Sequence, residues 1–221
     1  MIPASTDPRA SKALRSFAAA GALIGWAMLL LQLWLTVALV MAQGRSPAMA
    51  LVLYFGYFTI LTNLLAALVL SAFGAGPGFA GYRLATSPVA MTAVAGCITI
   101  VGAVYFLILR HLWQPQGAQF LADATLHYLM PLLFVLFWAW AAPARAVHWS
   151  DVPGLLVYPL AYLVYVFVRG EIVGLYPYDF VDVFKLGYRT ALLNAVGLLL
   201  AYGFVVACFV GLKAALSGRG R

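Results

Sequence analysis

Six long apolar runs, at about 17–42, 48–73, 86–109, 120–142, 152–169 and 190–214, constrain this chain more than any motif in it. A membrane-spanning helix needs roughly 20 mostly apolar residues, and each run is near or above that length. A closed β-barrel, the other form that satisfies its backbone in lipid, shows short alternating segments instead. The expected fold is therefore all-α: a polytopic membrane protein with a bundle of six transmembrane helices. Composition agrees, at 65% hydrophobic and 9% charged residues with a mean hydropathy of +0.99. The first run is much longer than the ~7–15 apolar residues of a signal peptide and is expected to stay as a span. No second domain and no repeat is visible, so residues 1–221 are read as one integral membrane domain.

The net charge of +7 does not point to nucleic acid, because its basic residues are scattered over short loops and tails. That pattern is a topology signal. With six spans both termini share a side, which holds Arg9, Lys12, Arg15, Arg83, Arg145, Lys213, Arg219 and Arg221. The opposite side holds Arg45, Arg110, Arg169, Lys185 and Arg189. The excess places the termini in the cytoplasm of a multi-pass protein of the cell membrane. The same side carries only Asp7 and Asp151 as acids. Cys97 and Cys208 lie inside apolar runs and read as packing residues, as do Gly96 and Gly102. His111, His127 and His148 fall on three different segments, so no metal-ligand spacing exists, and no cofactor is expected.

Polar groups inside apolar helices are costly, which draws attention to the second run. Gly56, Thr59 and Asn63 share a helical face there, with Thr62 beside them. In the fourth run Asp123 and His127 lie at i and i+4, and Pro131 is expected to release the carbonyl of His127 from its usual hydrogen bond. The fifth run carries Tyr158, Tyr162, Tyr165 and Arg169 as a polar-tipped stripe. The connection 170–189 is the longest and holds Glu171, Tyr176, Tyr178, Asp179 and Asp182, a composition suited to a mouth or lid. Asn194 follows in the sixth run.

In the predicted topology the second and fourth runs both enter from the outer side. Thr59 would then lie roughly 16 Å, and His127 roughly 10 Å, below that surface, depths compatible with one pocket. A threonine hydroxyl becomes nucleophilic when a base takes its proton, and an imidazole suits that task near neutral pH. Asp123 could orient the ring. Asn63 is the nearest oxyanion donor in sequence, with tyrosine hydroxyls of the fifth run as rivals.

Phe58-Thr59-Ile60, His127 with Pro131, and Gly174-Leu-Tyr-Pro-Tyr178 give the chain a resemblance to a known family. It resembles bacterial relatives of the androgen-induced and androgen-dependent TFPI-regulating proteins, six-span membrane proteins. Some animal members are threonine hydrolases that cleave fatty acid esters of hydroxy fatty acids. The resemblance implies Thr59 as nucleophile and His127 as its histidine. Asn63, Thr62, Asp123, Tyr158, Tyr162, Arg169, Tyr176, Tyr178 and Asn194 are read from their own positions as binding or supporting residues. Arg169 or Arg110 could hold a carboxylate at the outer mouth. The expected partners are membrane lipids or a fatty-acyl substrate, and the oligomeric state stays open. Two other readings remain open: a transporter or lipid-binding protein that uses the same stripe, and a scaffold in which Thr59 and His127 only cement helices.

Overall fold

A computed structural model describes residues 8–112, 114–143 and 147–218. Asp7, Arg145, Arg219 and Arg221, used above for the topology, lie outside the described residues. The protein is a multi-pass, all-α bundle with six helical segments long and apolar enough to cross a membrane, namely Lys12–Ala42, Phe58–Ala75, Pro88–His111, Gly117–Ala141, Trp149–Val173 and Val183–Ala215.

The first span is α1 (Pro8–Ala42), a single helix. The second run, expected as one helix over 48–73, is instead two: α2 (Pro47–Tyr54) and α3 (Phe58–Ala75), separated by a break at 55–57. Span three is α4 (Pro88–Leu107). The fourth is built from α5 (Gly117–Ala124), a π-helical turn at Thr125–Leu129, and α6 (Met130–Ala141). Span five ends in α7 (Val157–Val173), and span six is α8 (Val183–Gly218), interrupted at Gly187 with φ 72° and ψ 158°. Because α8 starts at Val183, the fifth connection is shorter than the expected 170–189 and runs from Gly174 to Asp182.

Local chemistry accounts for the helix ends. Ser46 and Ser87 cap α2 and α4 by accepting the N–H groups of Met49 and Ala90, each with a proline at the first helical position. Gly174, at φ 72°, closes α7 in the left-handed conformation and returns its N–H to Gly170 O at 2.8 Å.

The core is laid down where α1, α3, α4 and α6 meet, around Leu70, Ile98, Met130, Phe134, Phe137 and Trp138. Its one internal polar link among these side chains is satisfied, since Trp138 Nε1 donates to Thr92 Oγ1 at 2.9 Å. Gly102 lets α4 approach the π turn so closely that a Cβ there would lie 3.3 Å from His127 O and from Pro131 Cβ. Span three is thereby brought directly against the ring of His127.

Candidate active site

Breaking a helix inside an apolar environment strands carbonyl groups that must find donors. The stripe on α7 supplies them. Arg169 donates from Nε (3.3 Å) and Nη2 (3.1 Å) to Val52 O, Tyr165 donates to Phe55 O (3.2 Å), and Tyr162 donates to Gly56 O (3.0 Å). Arg169 spans the gap further by donating from Nη1 to Leu175 O at 2.7 Å. The guanidinium is buried and occupies the space over Gly56, where a Cβ would meet Cζ at 2.9 Å. Arg169 and Tyr162 therefore hold backbone. The expectation that Arg169 grips a substrate carboxylate gives way to this role. Arg110, its rival, is exposed and lies over the Phe106 ring, 3.7 Å from its centroid.

The break makes Thr59 the second residue of a new helix instead of a mid-helix residue. Its side chain is 7% exposed, and its hydroxyl turns to other segments rather than to its own helix backbone. Thr59 Oγ1 lies 3.3 Å from His127 Nε2 and 3.5 Å from the Tyr178 hydroxyl. On the far side of the imidazole, Nδ1 lies 3.0 Å from Asp123 O and 3.4 Å from Asp123 Oδ1. A proton on Nδ1 has two acceptors there, which leaves the Nε2 lone pair facing the threonine hydroxyl. Asp123 is buried, and its Oδ2 accepts a short hydrogen bond from the Tyr105 hydroxyl. Tyr105 also stacks on the imidazole, with centroids 4.0 Å apart and planes 18° from parallel.

The π turn fixes the ring's register. Met130 N–H reaches back five residues to Thr125 O, so the carbonyl facing Pro131, which has no N–H, is that of Leu126. The spacing alone points to the His127 carbonyl; the carbonyl that the π turn sets opposite the proline is that of Leu126. Asn63 Nδ2 satisfies Leu126 O at 3.1 Å and Thr59 O at 2.9 Å. Both hydrogens of that amide are then engaged, so Asn63 clamps the two helices together and is not free to donate to an oxyanion. Thr62 pairs with Tyr158 at 3.1 Å, one turn deeper than Thr59.

The connection 174–182 closes the site from above. Tyr176 packs against Gly170, where a Cβ would meet its ring, and donates its one proton to Glu171 Oε1 at 3.0 Å, with Phe167 O at 3.4 Å as the rival acceptor. Asn194 anchors the same connection by donating to Phe180 O at 2.8 Å. Tyr178 stacks on Phe180 and meets Tyr57 edge-on. Burial of its hydroxyl end pushes the Tyr178 phenol up to about 12.

An almost wholly apolar cleft between spans three, five and six has Thr59 in its lining. Phe58, Val104, Leu163, Phe180, Leu199 and Tyr202 are among the residues along its walls. Of the residues singled out from sequence, Thr59, His127, Asp123, Asn63 and Tyr178 converge on one point, with Thr62 and Tyr158 beneath them. Tyr162, Arg169, Tyr176 and Asn194 hold the surrounding backbone. Tyr105 was not anticipated: a tyrosine near the end of a span reads as an interfacial belt residue, and nothing in its neighbourhood marks it otherwise.

No protein-family model, no curated protein and no solved structure matches this chain. The arrangement itself offers a hydroxyl against an imidazole nitrogen, a carboxyl group behind the imidazole, and an apolar cleft whose lining includes the threonine. Among the described residues no cluster of side chains suited to a metal ion occurs.

Proposed function

We propose that this protein is an intramembrane hydrolase of lipid esters, with Thr59 as nucleophile and His127 as general base. The observation that carries the reading is the 3.3 Å separation of Thr59 Oγ1 and His127 Nε2, with Asp123 on the opposite ring nitrogen. Hydrogen-bond contact between a hydroxyl and a base that a third group orients is the arrangement nucleophilic catalysis requires. The apolar cleft lined in part by Thr59 suits an acyl chain, and esters such as those joining a fatty acid to a hydroxy fatty acid fit it. The resemblance to the androgen-induced family points the same way.

In this reading His127 Nε2 takes the Thr59 proton as Oγ1 bonds to the ester carbonyl carbon, and the carbonyl electron pair moves onto oxygen. Collapse of that intermediate expels the alkoxide, which receives the proton from Nε2. Water then attacks the acyl-threonine with His127 again as base, releasing the acid and restoring Thr59. Ester and water are consumed, and alcohol and acid are formed.

A fluorophosphonate probe offered to the purified protein should label Thr59. Labelling that persists unchanged in Thr59→Ala would sink the nucleophile assignment. One observation favours a second reading, a transporter or lipid-binding protein: the interruption of span two between α2 and α3 resembles the broken helices that line transporter sites. Ligand uptake by proteoliposomes without any ester turnover under the same conditions would decide for it.

A further inference from the structure

We propose that Tyr178 is a catalytic residue of this site: its hydroxyl and the backbone N–H of Thr59 together receive the ester carbonyl oxygen and hold the oxyanion of the tetrahedral intermediate. The proposal rests on the hydrolase reading and adds to it the group that stabilises the developing charge.

Three polar atoms enclose one point. Tyr178 Oη lies 3.4 Å from Thr59 N, whose N–H it accepts, and 3.5 Å from Thr59 Oγ1. A carbonyl carbon bonded to Oγ1 places its oxygen between that N–H and that hydroxyl. An oxygen about 2.9 Å from both atoms sits to one side of the 3.4 Å line joining them, where it can accept from each once the N–H and the phenol turn towards it.

The position follows from the break in span two. The first N–H groups of a helix lack intrahelical partners, and Tyr57, the N-cap of α3, offers no side-chain cap. Tyr178 fills that office from a connection 119 residues away. The N-terminal end of α3 adds its partial positive charge at the same place.

Other candidate donors are engaged. Asn63 gives both amide hydrogens to Thr59 O and Leu126 O, Tyr162 gives its proton to Gly56 O, and Tyr105 gives its proton to Asp123. Tyr158 lies against Thr62. With the Thr59 proton directed to His127 Nε2, the Tyr178 proton falls to Thr59 Oγ1 in the resting state. As Oγ1 becomes bonded to carbon it loses its value as an acceptor, and the phenol turns to the new oxyanion. No proton leaves Tyr178 in this step, which agrees with a phenol held protonated up to about 12. The stack on Phe180 at 5.0 Å and 7° keeps the ring in place. An oxyanion donor in a water-poor site contributes a factor of about 10²–10³ in rate.

The test uses full-length protein in detergent micelles hydrolysing p-nitrophenyl octanoate. Tyr178→Phe keeps the ring and its stack, and should lower kcat by about 10²-fold or more with KM within about threefold. Tyr188→Phe, an equally small loss at an exposed tyrosine, should leave kcat within about threefold. Should Tyr178→Phe also lower the melting temperature, octylboronic acid gives a second readout below that temperature. As a tetrahedral mimic on Thr59 its inhibition constant should rise about 10²-fold in the variant. Tyr178→Phe with kcat and boronate inhibition both unchanged, while Thr59→Ala abolishes turnover, overturns the Tyr178 assignment and leaves the hydrolase reading standing. Thr59→Ala at the wild-type rate, or a wild-type protein that neither hydrolyses the ester nor binds the boronate, overturns both.

Discussion

At the scale of single residues the site makes sharp demands on Thr59, His127 and Asp123. Thr59→Ser keeps the hydroxyl and should retain turnover of a p-nitrophenyl ester. Thr59→Ala and His127→Ala should each lower kcat by about 10³-fold or more, and the double variant should fall little further, because residues acting as a unit are not additive. Asp123→Asn should cost about 10²–10⁴-fold, since an amide behind Nδ1 can favour the wrong tautomer. A double variant whose loss equals the product of the two single losses would contradict the dyad. The pairing of Thr59 with His127 was suggested by compatible depths in apolar runs together with the family resemblance, and the two side chains lie 3.3 Å apart. Tyr105 was not, since its hydrogen bond to Asp123 joins two spans and leaves no local mark. Asn63 was legible as a polar anomaly but not as a clamp. Its role depends on which carbonyl the π turn strands, and the spacing of His127 to Pro131 alone suggests the other one.

At the scale of elements, α7 works chiefly as a donor strip for the break between α2 and α3. Each carbonyl of that break left unpaired in an apolar setting costs about 1–3 kcal/mol. Arg169→Met removes the donors to both Val52 O and Leu175 O, so it should lower stability by a few kcal/mol, read as a marked fall in melting temperature of the detergent-solubilised protein. A melting temperature equal to wild type would show that the break does not need Arg169. Gly170→Ala acts at the next residue of α7. The new methyl would overlap the Tyr176 ring, which must swing away and carry the connection 174–182 with it. Turnover should fall with the displacement of Tyr178, whereas Tyr176→Phe, which preserves the packing over Gly170, should perturb it far less. Helix positions were readable from the apolar runs, yet the break at 55–57 was not. No proline marks it, and a single glycine is common within a span. What stabilises it comes from side chains more than 100 residues further along the chain.

At the scale of the whole molecule, the alternation of six spans puts the loops at 43–46 and 112–116 and the connection 174–182 on one side, with the loop at 76–81 on the other. The candidate site belongs to the first side, because α3 begins there with Thr59 and the π turn follows closely on α5. Lysine and arginine counts, eight against five, predict that this side is the exterior, and labelling tests that prediction. In a background with Cys97 and Cys208 replaced by alanine, Gln43→Cys and Gln114→Cys introduce thiols at exposed loop positions of the site's side, and Gly78→Cys introduces one opposite. A membrane-impermeant maleimide applied to intact cells should modify the first two and reach Gly78→Cys only after permeabilisation. The reverse pattern would invert the topology and move the site to the cytoplasmic leaflet. That outcome would alter which lipids reach the cleft and from which compartment water enters, but not the geometry by which Thr59, His127 and Tyr178 meet.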